Sequence, residues 1–194
     1  EGGVENVLAL RGDSPADDAD FVKPQNGFGF ANDLIDYTRK QNPELCIVAA
    51  CYPETHPEAR SAQDDLDHAK RKVDAGADIL ITQLFFENAR FFSFMDRIRA
   101  AGITVPVVPG IMPIVSRAGV KRMTSMCGCE IPSELNAQLE AVGDDEAATQ
   151  ELGVRWGTMQ CRELLDSGVP GLHFYTLNKS SATRQIYENL FTKD

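Results

Sequence analysis

The chain has 194 residues, 43% hydrophobic and 25% charged, the make-up of an ordinary globular protein with room for a full core and at most two domains. Its 19 basic against 29 acidic side chains leave a formal net charge of −10, a field that repels nucleic acid and anionic membrane surfaces, so any anion must be held by a local site. No apolar run is long enough to span a bilayer and no basic, apolar leader opens the sequence, so neither nucleic acid nor membrane insertion is expected.

Strand-length apolar runs alternate with helical patterns. The first run, residues 7–10, ends in Arg11-Gly12-Asp13, and residues 14–29 form a long, polar, acidic loop. A helix over 31–41 leads to a strand over 45–51, then to the loop Tyr52-Pro53-Glu54-Thr55-His56-Pro57-Glu58. In the next helix, 61–75, Ala62, Leu66, Ala69 and Val73 make one apolar stripe, with Ser61 as N-cap and Gly76 as stop. A strand over 79–81 runs into Gln83, and a helix over 89–101 ends at Gly102. The strand 105–108 is followed by Gly110-Ile111-Met112-Pro113-Ile114. Helices over 118–126 and 147–167, a strand over 172–175 and a helix over 181–190 complete the chain.

This alternation predicts five parallel βα units, in a barrel or a doubly wound sheet. A closed (β/α)8 TIM barrel needs eight strands and about 250 residues. The expected architecture is therefore α/β, with this chain supplying about the last five units of the barrel. Residues 1–194 would be the C-terminal portion of a single domain whose N-terminal strands are absent.

In a barrel the carboxyl ends of the strands carry the site. Arg11, Gly12 and Asp13 put a cation, a permissive backbone and a carboxylate there, which suits a flat or phosphorylated ligand or, equally, a turn with a surface ion pair. Two prolines stiffen the loop that carries His56. Asp65, His68 and Lys72 share one helix face with Arg71 adjacent, either a solvated ion-paired face or a carboxylate for a sugar alcohol and cations for a phosphate. Gln83, polar at the end of an apolar strand, can donate and accept, as a pterin or amide-like edge requires. His173 reads as a core histidine or a site member. There is no dinucleotide or P-loop fingerprint, no nucleophile elbow and no metal-ligand spacing. Five cysteines, Cys46, Cys51, Cys127, Cys129 and Cys161, form an odd set without a C-x-x-C pair, which points to a reducing compartment, cytoplasmic or organellar. Cys127-Gly128-Cys129 is expected to be unreactive thiols in a helix-terminal turn.

Seven blocks in one order resemble the methylenetetrahydrofolate reductase family from end to end of the chain. They are Leu8 to Asp13, Tyr52 to Ala59, Asp65-Leu66, Lys72 to Ala77, Ile81 to Phe86, Pro109 to Ile114 and His173 to Asn178. The resemblance implies an FAD-containing (β/α)8 barrel that reduces 5,10-methylenetetrahydrofolate to 5-methyltetrahydrofolate with NADPH or NADH as reductant. It places Arg11, Gly12 and Asp13 against FAD, with Asp13 tuning the flavin, and gives Phe30, Ala31, Tyr52, His56, Ala59, Asp65, His68, Arg71 and Lys72 further FAD contacts. Gln83 takes the position shared by folate and nicotinamide, and Lys179 a substrate position.

Three positions depart from the family pattern: Phe30 replaces a tyrosine, Gly119 a substrate-binding glutamine and Lys179 an arginine. The family's general acid, a glutamate on the first barrel strand, has no counterpart in the chain. The chain by itself is therefore expected to be inactive, with the missing N-terminal barrel half or a complementing chain as partner, in an oligomer. A second reading is a reductase-derived, non-catalytic structural or assembly subunit. A bound flavin that bleaches with NADPH or NADH discriminates between the two.

Overall fold

A computed structural model describes residues 2–11, 25 and 27–192. The strands are β1 (Asn6–Ala9), β2 (Cys46–Cys51), β3 (Ile79–Leu84), β4 (Val107–Ile111) and β5 (His173–Phe174). The helices are α1 (Ala31–Gln41), α2 (Ala62–Asp74), α3 (Asn88–Ala100), α4 (Arg117–Cys127), α5 (Ser133–Val142), α6 (Glu146–Asp166) and α7 (Ser181–Phe191). All four strand pairings are parallel, and the strands stand side by side in chain order, β1-β2-β3-β4-β5. A doubly wound sheet reverses its strand order at a switch point, whereas a barrel wall does not, so the order selects the barrel-type arc.

Side chains of β2 and β3 alternate between buried and half-buried, with Ile47, Ala49 and Cys51 and then Leu80, Thr82 and Leu84 on the buried face. Ile47, Ala49, Cys51 and Leu80 join Leu66 and Ala69 of α2 and Phe91, Phe94 and Ile98 of α3 in one core beneath the helices, while Leu84 belongs to a second cluster. The opposite face, with Leu8, Val48, Ala50, Ile81 and Gln83, is only partly covered. Helix α2 begins as the sequence indicates: Ser61 Oγ accepts from the Asp64 amide at 3.1 Å, and Gly76 beyond its end adopts φ +112°.

At the amino ends of the strands, arginine side chains satisfy the carbonyls of the turns. Arg39 at the end of α1 donates to the carbonyls of Pro43 (2.6 Å), Leu45 (2.8 Å) and Gly76 (2.8 Å) and pairs with Asp78, whose Oδ2 also accepts from the Ile47 amide at 2.7 Å. Arg99 repeats the device after α3, donating to Ile103 and Val105 at 2.6 and 3.0 Å.

The structure differs from the sequence reading in several elements, β5 among them, which spans only His173–Phe174 rather than 172–175. Helix α5 was not expected; its Leu135 and Leu139, spaced by four, are fully buried against Leu84, Phe86, Met112, Ile114, Val120 and Leu152. Strand β3 runs on to Leu84, and β4 runs from Val107 to Ile111 rather than stopping at Val108. The β3–β4 register shifts, because Ile81 pairs with Val108 but Leu84 with Gly110. Pro109 stands in the gap with no N–H to give, which is where a bulge is tolerated.

Helix α6 carries two buried glycines that would each weaken an isolated helix by about 1 kcal/mol relative to alanine, so packing must require them. A Cβ on Gly153 would overlap the Ile114 carbonyl and lie 2.7 Å from Ile114 Cβ, whereas on Gly157 it would meet only the Ile186 Cδ1 tip at 2.7 Å. Gly153→Ala should therefore cost about 3 kcal/mol, because backbone must move, and Gly157→Ala within about 1 kcal/mol, because Ile186 can rotate. Urea unfolding of both variants checks this; equal losses would contradict the backbone contact.

Candidate active site at the carboxyl ends of the strands

The carboxyl ends of β1 and β2, the start of α1 and one face of α2 enclose a cleft of about 200 Å³. Arg11, Phe30, Ala31, Tyr52, His56, Ala59, Asp65, His68 and Lys72, all anticipated from the sequence, line it. Ala9, Leu10, Asn32, Ala50 and Glu58 complete the lining. Asp65, His68 and Lys72, which share one face of α2, all lie on the wall of this cleft.

Lys72 lies against the β2 end, its Nζ donating to the Ala50 carbonyl at 2.9 Å. Burial lowers its pKa, with Arg11 acting in the same direction, while Cys51 and Asp65 oppose the shift. Burial raises the pKa of Asp65, against the His56 amide, which donates to Asp65 Oδ2 at 3.1 Å, and against Lys72. Both partners of this charge pair are thus held in a place that disfavours charge, and an anionic ligand would repay part of the cost of keeping Lys72 charged.

His56 Nδ1 accepts from the Glu58 amide at 3.0 Å, so the neutral ring carries its proton on Nε2. Tyr52 meets this ring edge-on at 4.5 Å between centroids. Glu58 in turn takes both hydrogen bonds from Arg11 Nη2, at 2.8 and 2.9 Å. This ion pair ties the strand end to the His56 loop and forms part of the cleft wall. From the far side, Arg97 donates to the Pro53 carbonyl at 3.0 Å, Glu54 Oε2 accepts from the Glu130 amide at 2.9 Å, and Gly128 sits against Pro57. The proline-stiffened loop is held at both ends.

Other anticipated residues fall outside this lining. Arg71 is exposed and reaches the cleft only through His68, whose Nδ1 accepts from Arg71 Nη2 at 2.9 Å; Phe30 lies 6.4 Å from the same imidazole. Gln83 stands on the partly covered face of β3, its Oε1 accepting from the Leu84 amide at 2.9 Å. Its carboxamide nitrogen has no hydrogen-bond partner among the described residues, and its oxygen keeps a second lone pair. Lys179 is exposed, in a turn where Leu177 and Asn178 have φ of 47° and 61°. Gly119 lies in the first turn of α4, its amide donating to Ser116 Oγ at 3.1 Å. Gly12 and Asp13 lie outside the described residues.

Sequence reading missed Asn32 and Glu58 as lining residues. Asn32 directly follows the anticipated Ala31, and Glu58 shares the loop of His56, so proximity was the available signal. His173 is half-buried, edge-on to Tyr175 at 4.8 Å. All five cysteines are free thiols; burial raises the pKa of Cys51 and pushes Cys129 and Cys161 up to about 12, which fits the unreactive reading of Cys129. Among the described residues no group of His, Cys, Asp or Glu could hold a metal ion, and no helix is long and apolar enough to cross a membrane.

Burial lowers the pKa of both His56 and His173. Each holds its proton less readily folded than unfolded. The stability they contribute is present above the ordinary imidazole value of about 6.5 and is lost as pH falls from there to the depressed folded value. Asp65, pushed up, acts in the opposite sense at more acidic pH: its contribution declines as pH rises from about 3.9 to its raised value. The urea midpoint should therefore fall between about pH 7.5 and 5.5, and His56→Asn and His173→Asn should each shrink that fall. A midpoint independent of pH across this window would contradict buried neutral imidazoles.

The family described as methylenetetrahydrofolate reductase matches residues 1–191. Methylenetetrahydrofolate reductase (NADH) 1 of Zea mays is 43% identical over 97% of this chain and 33% of its own length. The probable methylenetetrahydrofolate reductase (NADPH) of Caenorhabditis elegans is 39% identical over 97% of this chain and 28% of its own length. For the 5,10-methylenetetrahydrofolate reductase of Salmonella typhimurium the identity is 37%, over 97% of this chain and 61% of the relative. The chain thus spans about one third of the length of the plant relative. A solved structure of a Clostridium thermocellum protein that binds two copies of 5-methyl-5,6,7,8-tetrahydrofolic acid shares the fold, with a TM-score of 0.56 and 18% identity over 82% of this chain and 57% of that one. A match over nearly the whole chain, together with identities of 37–43%, places the chain in the methylenetetrahydrofolate reductase family.

Proposed function

We propose that this chain carries the flavin-binding side of an active site that reduces 5,10-methylenetetrahydrofolate to 5-methyltetrahydrofolate at the expense of NADH or NADPH. The observation that carries the reading is the gathering of Arg11, Tyr52, His56, Asp65, His68 and Lys72 around one cleft, in a chain of this family. On this reading residues 1–194 are the C-terminal part of one (β/α)8 barrel, completed by an N-terminal half or a complementing chain within an oligomer. The setting is a reducing compartment, cytoplasmic or organellar.

The residues present fit FAD. Arg11 and the half-buried Lys72 supply positive charge for a diphosphate, Asp65 and Asn32 supply polar partners for sugar hydroxyls, and Tyr52 and Phe30 offer flat apolar surface. FAD, when bound, supplies the two-electron chemistry that links the nicotinamide donor to the folate acceptor. The chain's own part is positioning and electrostatics. Lys72 draws the ligand's negative charge to the β2 end, the His56 loop closes one side with little entropy left to lose, and Arg71 orients His68. By the family resemblance, Asp13 would tune the reactivity of the flavin. Gln83 meets the two substrates in turn, with Lys179 as a further substrate contact. No carboxylate of this chain is assigned to protonate the folate nitrogen; by the family pattern that acid belongs to the first barrel strand.

The complete protein carrying this chain, purified under native conditions, should be yellow and should bleach with NADH or NADPH. A correctly folded, colourless protein that takes up no added FAD would sink this reading in favour of a non-catalytic subunit. Lys72→Met should lower flavin content at least about tenfold with the fold retained, since it removes a cation but keeps an apolar stem. Asp13→Asn should keep the flavin and slow its reduction or reoxidation; unchanged half-reaction rates would remove Asp13 from its role.

A further inference from the structure

At the centre of the β3–β4 seam the ladder is replaced by side chains. Pro109 has no N–H to give, and the register slips between Ile81 and Leu84. Two amides then take side-chain partners: the Gly110 N–H donates to Thr82 Oγ1 at 2.8 Å, and the Leu84 N–H to Gln83 Oε1 at 2.9 Å. The third partner arrives from the residue that follows β5, two strands away. Tyr175 donates its hydroxyl to the Thr82 carbonyl at 2.8 Å, and its ring crosses β4 where Gly110 has no side chain. A Cβ on Gly110 would lie 2.6 Å from Tyr175 Cε2 and would overlap the Thr82 carbonyl oxygen. Burial raises the Tyr175 pKa, so the phenol remains a donor.

We propose that Tyr175 is a positioning residue for Gln83: by fixing the Thr82 carbonyl through the gap at Gly110, it sets the bulge from which Gln83 meets the substrates. This rests on the reading of Gln83 as the contact shared by folate and nicotinamide. Bulges re-aim side chains next to active sites, and this one is held by Thr82 and Tyr175 in place of regular pairing. The hydroxyl acts on the peptide unit that precedes Gln83, so its loss would be felt by Gln83 before any other residue that touches substrate. The flavin cleft is lined by residues of β1, β2, α1 and α2 and their loops, so flavin binding should not depend on Tyr175.

The test uses the complete flavin-loaded protein with Tyr175→Phe, which keeps the ring and loses only the hydroxyl, together with Gln83→Ala and the double variant. Tyr175→Phe should retain flavin, raise KM for both the folate and the nicotinamide substrate about tenfold, and add less than about twofold when Gln83 is already alanine. Hydrogen exchange at the Gly110 and Leu84 amides should quicken about tenfold or more in Tyr175→Phe. Multiplying effects in the double variant, or unchanged exchange at those amides, would overturn the positioning role. A flavin-loaded wild-type protein that turns over neither substrate would overturn the functional reading itself, and with it the role of Gln83.

Discussion

Parallel strands cannot be joined by tight turns, and that constraint organises everything else in this fold. Each return from one strand's carboxyl end to the next strand's amino end needs a crossover, here a helix or group of helices, so all five carboxyl ends emerge on one face. The two faces are then built differently. At the amino ends the turns between α1 and β2 and between α3 and β4 are short, and Arg39 and Arg99 take up their carbonyls. At the carboxyl ends the segments after β1 and β2 are longer and carry the charged and aromatic side chains of the cleft. Stability and ligand chemistry are thereby separated along one axis.

The cleft is costly in the absence of an anion. Lys72 and Asp65 stabilise each other's charges, yet burial pushes each toward its neutral form. Surface pairs such as Lys40–Asp36 or Lys70–Asp74 contribute little by comparison, because solvent screens them. A chain selected only for stability would place an apolar residue at position 72. On the proposed reading, the desolvation of this half-buried cation would be offset when a phosphate occupies the cleft.

Much of the fold is legible in the sequence because periodicity and punctuation agree. In α2 the apolar stripe, the Ser61 cap and the Gly76 stop all name the same element, and the structure begins and ends it within one residue of the expected bounds. The face shared by Asp65, His68 and Lys72 was equally legible, since helical spacing places them together in any fold. Helix α5 was not, because a ten-residue segment with two strongly apolar anchors, Leu135 and Leu139, is stabilised by a cluster drawn from β3, the segment after β4 and α6. The Arg11–Glu58 pair joins residues 47 apart, a contact that no local pattern encodes. The β3–β4 bulge was hidden for the same reason: Pro109 signals a weak point in a strand, but which amides it orphans depends on the neighbour.

That orphaning bears on how one side chain could serve two substrates. A free glutamine can present either end of its carboxamide, and a site that must accept folate and nicotinamide in turn would gain little selectivity from such a group. Here the Leu84 amide, displaced from the regular ladder by the bulge, takes one lone pair of Gln83 Oε1 and so fixes the orientation of the carboxamide. In the proposed reaction both substrates carry a carbonyl acceptor, on the pterin ring of one and on the carboxamide of the other. On the proposed reading, a carboxamide whose orientation is fixed in advance could offer its N–H to either substrate without turning over, so the missing N–H of Pro109 would reach the site through the orientation of Gln83.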